Sequence, residues 1–123
     1  MSTRATVRFI HAASGLTTAK VGILQDGDPK SVRELFLRAV MPDKLGEATN
    51  IMNLPVLFIT HLQNLGVPCA LLGDMRMTDA EHDYEVTITE SLNPVHVAFY
   101  DRKRLILRHV QSDMLLEVIE FDS

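Results

Sequence analysis

Tryptophan is absent from these 123 residues, cysteine occurs once, and aromatic surface is limited to two tyrosines and five phenylalanines. Each shortage closes a route to function. With only Tyr84 and Tyr100 as phenols and no indole, the chain has no platform on which successive bases could stack. A lone cysteine, Cys69, cannot close an internal disulfide. Between Pro68 and the apolar Ala70, Leu71 and Leu72 it reads as a small buried hydrophobe, and a reducing, cytoplasmic setting is expected. No apolar run approaches the roughly 20 residues that span a bilayer, and the polar start lacks the apolar centre of a signal peptide. The phosphate-binding patterns GxGxxG and GxxxxGKS/T are missing, as is the GxSxG of nucleophilic hydrolases.

The remaining candidates for chemistry are sparse. The histidines, His11, His61, His82, His96 and His109, show none of the close pairing that zinc ligands usually leave in sequence. His82 and His96 are expected to approach each other only if a hairpin forms between them, and His61 should lie half-buried beside the apolar stripe of a helix. Ser14 and Ser31 have no identifiable base. No catalytic, cofactor or metal site is therefore predicted, and a non-enzymatic protein is expected.

What is present suits a folded domain. Apolar residues make up 46% of the chain and charged residues 23%, ordinary values for a globular protein and far from the composition of disorder. At this length about two-thirds of the unfolded surface can be buried, and with no linker or repeat the reading is a single domain over residues 1–123. The net charge of −4 is unevenly spread: residues 1–44 carry seven Lys/Arg against four Asp/Glu, residues 45–101 only Arg76 against eight acids, and residues 102–123 four of each. An acidic balance argues against direct nucleic-acid binding, which needs cations to neutralise phosphates.

Residues 4–10, RATVRFI, alternate, with Ala5, Val7 and Phe9 on one side and Arg4, Thr6 and Arg8 on the other, a half-buried strand. KVGILQ reads as a second. In DGDP, Asp28 is placed to cap a helix whose first residue is Pro29, and Val32, Leu35, Phe36, Ala39 and Val40 then form one apolar stripe ending before Pro42. A second helix is predicted between Thr49 and Leu65, with Pro55 starting or kinking it and Gly66 as its C-terminal cap. Strands are predicted at CALLGDMRM, HDYEVTITE, PVHVAFY and RLILRHV, with a polar turn over Asp101–Arg104; DMLLEVIEF fits strand or helix. The expected fold is α+β: an antiparallel sheet with two consecutive helices packed on one face, in the order β-β-α-α-β-β-β(-β).

Two charged features invite a functional reading. Asp79, Glu81, Asp83 and Glu85 recur every second residue and, with Glu90 beyond, make an acidic strand face suited to a basic protein partner. Arg102, Lys103 and Arg104, with Arg4 and Arg8, are the candidate anion contacts, arginine being apt because its fork reads phosphate bidentately. Arg4 and Arg8 stand about 13 Å apart at four strand steps, too far to clamp one small anion, and are expected to pair with sheet carboxylates instead.

Ser2-Thr3-Arg4-Ala5-Thr6 running into a strand, the turn Asp26-Gly27-Asp28-Pro29 before the first helix, and the acidic-aromatic strand DAEHDYEV from Asp79 to Val86 resemble a group of small uncharacterised phage and bacterial mobile-element proteins. The resemblance implies an accessory protein that binds a protein partner. One form this would take is inhibition of a bacterial defence system by docking on a basic, nucleic-acid-handling host complex, as anti-CRISPR proteins do. Two other classes stand beside it: a small-ligand- or nucleotide-binding module or enzyme using the Arg4/Arg8 strand, and a structural homo-oligomer, such as a homodimer, pairing through an exposed sheet edge.

Overall fold

The computed structural model describes residues 3–12, 14–39, 54–73, 80–92 and 101–122, with 90–92, 101–103 and 120–122 described by backbone alone. Strands β1 (Ala5–His11) and β2 (Leu16–Ile23) form a hairpin; helices α1 (Pro29–Ala39) and α2 (Leu54–Asn64) follow. Strands β3 (Cys69–Leu71), β4 (His82–Leu92), β5 (Asp101–His109) and β6 (Met114–Asp122) complete the chain. The α+β order expected from the sequence is the order observed, and the undecided DMLLEVIEF is strand β6. No described helix is long and apolar enough to cross a membrane.

The six strands make one sheet in the order β3-β2-β1-β4-β5-β6. Four of its five junctions are antiparallel, as expected. The fifth, β1 with β4, is parallel, with Ala5 opposite His82 and His11 opposite Ile88, so the sheet is mixed. Parallel neighbours need a long crossover rather than a tight turn, and here β2, both helices and β3 supply it.

Local chemistry explains the helices. The Asp28 carboxylate accepts from the Ser31 amide at 3.2 Å and its carbonyl accepts from the Val32 amide at 2.9 Å, so Asp28 is the N-cap and Pro29 the first helical residue. Val32, Leu35, Phe36 and Ala39 are the buried stripe. Pro55 stands at the second position of α2, where its missing amide costs no helical bond. At the other end Gly66 takes φ +73°; its amide donates to the Gln63 carbonyl at 3.0 Å and that of Val67 donates to Leu62 at 2.9 Å. This paired capping is a Schellman motif, which only glycine adopts without cost.

Both helices cover the sheet face that carries Ala5, Val7, Phe9, Val21, Ile23, Tyr84, Val86, Ile88, Leu105 and Leu107, all buried. Phe58 of α2 ties the layers together, edge-to-face with Phe9 of β1 at 5.9 Å and with Phe36 of α1 at 6.4 Å between centroids. Arg33 of α1 clamps the sheet margin, donating to the Leu116 carbonyl at 3.2 Å and pairing with Glu117 at 2.8 Å.

The expected polar turn at Asp101–Arg104 does not form there: these residues open β5, with Leu92 opposite Asp101 and Thr89 opposite Arg104. In backbone register β6 sets Asp122 opposite Arg102 and Glu120 opposite Arg104. The expected strand PVHVAFY lies outside the described residues.

Candidate functional site

Because the helices cover one face, the other face of the sheet is where the remaining polar side chains gather. The alternation of β1 sends Arg8 there, and registry sets Lys20 of β2 on one side of it and Glu85 of β4 on the other, with Arg108 of β5 beyond. Arg8 and Glu85 form an ion pair, so the expectation that Arg8 meets a sheet carboxylate is met. Arg108 reaches Asp113 at 3.6 Å. A neighbouring row is less polar, carrying half-buried Ile10, Thr87, Ile106 and Val118 in mutual register.

The acidic series divides. Asp79 lies outside the described residues. Glu81 is exposed just ahead of β4, and Asp83 is exposed on the strand. The Gln111 side-chain amide donates to the Asp83 carboxylate at 3.1 Å, while its carbonyl accepts from the Asp83 amide at 2.9 Å. Glu85 is engaged by Arg8. Glu90 stands in register with Lys103, five residues from Glu85 and so out of its period-two row. Of the three described members of the ladder, Glu81 and Asp83 are the exposed acids and Glu85 is held by Arg8. Among the predicted anion contacts, Arg4 is exposed and Arg8 half-exposed. Arg102, Lys103 and Arg104 are on β5, where the register offers each an acid: Asp122 for Arg102, Glu90 for Lys103 and Glu120 for Arg104.

The hairpin that joins β5 to β6 brings apolar surface beside those acids. Val110, Met114 and Leu115 are 40%, 55% and 54% exposed. The Val110 amide donates to the Asp83 carbonyl at 2.8 Å, and Leu115 is in register with Arg108 on the open face. Glu81, Asp83 and Asp113 are exposed too, Asp83 next to Val110 through that hydrogen bond and Asp113 beside Arg108.

Sequence reasoning missed one cluster. His96 lies outside the described residues; His82 meets His109, Nδ1 to Nε2 at 2.9 Å. His109 Nδ1 is in turn 2.6 Å from Ser112 Oγ, and the Tyr84 ring packs 5.2 Å from that of His109. Tyr84 donates its hydroxyl to the Gly27 carbonyl at 2.6 Å. Burial, reinforced by the Asp28 carboxylate, pushes the Tyr84 phenol well above its usual range. Burial also holds His109 below the ordinary imidazole value, with His82 adding to the effect and Asp83 opposing it. A neutral His109 suits the geometry: one proton bridges the two imidazoles and Ser112 completes the chain at the far nitrogen. The only sequence signal for this cluster was the parity of His82 and Tyr84, which places both on one side of β4; the strand opposite them could not be known.

Other readings resolve briefly. Cys69 is half-buried on β3, and burial raises its thiol pKa, which disfavours the thiolate. His61 is half-buried on α2, as expected. Among the described residues no group of three or more His, Cys, Asp or Glu converges in a way that could hold a metal ion. No protein-family model, curated protein or solved structure matches the chain.

Proposed function

We propose that this chain is a non-enzymatic accessory factor of phage or mobile-element type that binds a basic protein partner, a nucleic-acid-handling complex of a bacterial defence system. The observation that supports this reading is the set of exposed apolar residues on the β5–β6 hairpin, Val110, Met114 and Leu115, with the exposed acid Asp83 bonded at Val110. An apolar centre with a polar rim is the anatomy of a protein interface. Carboxylates at the rim attract a positively charged partner, speeding encounter and excluding wrong ones more than they add affinity. The adjoining strand β6 is an edge of the sheet, where a partner has access.

The test is phage plaquing on hosts carrying individual defence systems, including CRISPR interference, with and without expression of this chain. Restored plaquing against at least one system is expected, with a complex of the purified chain and that system's effector. Val110→Asp combined with Glu81→Lys and Asp83→Lys should abolish both, while leaving the far-UV circular dichroism unchanged. Absence of rescue across the panel, or rescue that survives the triple substitution, would refute the proposal. A concentration-independent dimer in light scattering, broken by substitutions in β6, would favour the structural homo-oligomer instead.

A further inference from the structure

Two clefts adjoin on the open face of the sheet, and both are lined by Arg8 and Lys20. One, of about 290 Å³, also takes in Thr6, Ala80 and Asp83; the other, of about 390 Å³, takes in Thr17, Thr18 and Gly73. Arg8 and Lys20 are directly opposite each other across the β1–β2 ladder. Like charges so placed destabilise a strand pair, and the protein compensates only one of them. Glu85 engages Arg8 from the β4 side, whereas no carboxylate reaches Lys20 among the described residues. At the β2–β1–β4 part of the row two cations, Lys20 and Arg8, therefore stand against Glu85, with Asp83 as a second acid at the far wall of the smaller cleft.

We propose that this junction is a binding site for a small phosphate-bearing molecule. The Lys20 ammonium supplies a point charge, and the guanidinium of Arg8 keeps N–H donors beyond those that Glu85 takes. Thr6, Thr17 and Thr18 bring hydroxyl-bearing side chains to the cleft walls. A phosphate seated between the two cations relieves their mutual repulsion and makes charge-assisted hydrogen bonds. Asp83, at the far wall of the smaller cleft, repels a second anionic group and accepts from a hydroxyl. The ligand class is therefore a phosphate monoester of a polyhydroxy compound, not a polyanion. The smaller cleft shares Asp83 and Val110 with the proposed docking spot, but the proposal stands on Arg8 and Lys20, which that spot does not include.

Ribose 5-phosphate is the probe, with ribose and citrate as controls, titrated calorimetrically at low ionic strength. Saturable binding of ribose 5-phosphate is expected, with ribose and citrate at least tenfold weaker. Lys20→Met should weaken binding at least tenfold while leaving the unliganded protein at least as stable in urea, because it removes a like-charge contact. Lys20→Arg, which keeps the charge, should retain binding within a few-fold. Binding that Lys20→Met leaves unchanged, citrate binding as tightly as the sugar phosphate, or no binding at millimolar probe would each overturn the proposal.

Discussion

Gly27→Ala tests whether the DGDP turn is held by contact or by conformation. Gly27 is not among the residues with positive φ, so alanine faces no backbone strain there. What it meets is strand β1: an added Cβ would lie 2.7 Å from Ala5 Cβ, 2.8 Å from the Thr3 carbonyl oxygen and 3.0 Å from the Ala5 nitrogen. Comfortable contacts are about 3.5–4.0 Å. Two of the three atoms are backbone, and Ala5 is fixed by ladders on both sides, so no flexible side chain can swing away. Overpacking of this kind costs about 1–3 kcal/mol. Displacing the turn also loosens two hydrogen bonds, Gly27 N–H to Thr3 at 3.0 Å and Tyr84 O–H to Gly27 at 2.6 Å, each contributing about 1 kcal/mol. Against this, alanine restricts the unfolded chain, a gain of about 0.4–1 kcal/mol. The net is a loss of about 2–4.5 kcal/mol, or roughly 6–20 °C in Tm at this chain length. Urea unfolding followed by far-UV circular dichroism should show a lower midpoint with an unchanged slope. A loss below about 0.5 kcal/mol would refute the close approach.

Asp28→Ala should cost about 1 kcal/mol by removing the helix cap. Hydrogen bonding from Ser31 holds the Asp28 carboxyl below its ordinary 3.8, so its contribution is present above that value and disappears as pH falls through the lower, folded one; acid titrations of the two proteins should converge there. His109 is likewise depressed from 6.5. The unfolded chain binds the proton first, so stability should decline as pH falls below 6.5 and continue to decline through the folded pKa, and His109→Gln should flatten that part of a stability-against-pH curve. Phe58→Ala, which empties the contact with Phe9 and Phe36, should cost about 3–5 kcal/mol in urea unfolding. A double-mutant cycle on Arg8 and Glu85, both partly exposed, should return no more than about 1 kcal/mol.

Elements with local signals were legible in the sequence: the Asp28 cap, the stripe from Val32 to Ala39, the Gly66 stop and the alternation of β1 and β4. Features set by long-range pairing were not. The parallel seam of β1 and β4 depends on contacts some 77 residues apart, such as Arg8 with Glu85, and no periodicity encodes it. Asp101–Arg104 imitated a turn because four consecutive polar residues carry no alternation, whereas their place in the sheet is set by backbone pairing with β4 and β6. The candidate site suffers more. The spacing of the acidic series was visible, and so was a sheet carboxylate for Arg8, but not that Glu85 of that series would be the one. The meeting of His82 with His109 requires the β4–β5 register, with Tyr84 opposite His109.

The parallel seam also bears on how the molecule assembles. It divides the sheet into two antiparallel halves, β3-β2-β1 and β4-β5-β6, and the second half is contiguous in sequence, a meander able to form from near neighbours. In the first half β1 and β2 are a local hairpin, but β3 reaches β2 only across the segment that holds both helices. Joining the halves is the step of highest sequence separation, and such steps carry the largest loop-closure cost before any contact repays it. Until then β1 and β4 each present an unpaired edge beside apolar residues, the state in which strands recruit wrong partners. Gly27, bonded to Thr3 beside β1 and to Tyr84 of β4, spans that seam at one end, so the turn that caps a helix also fastens two folding units.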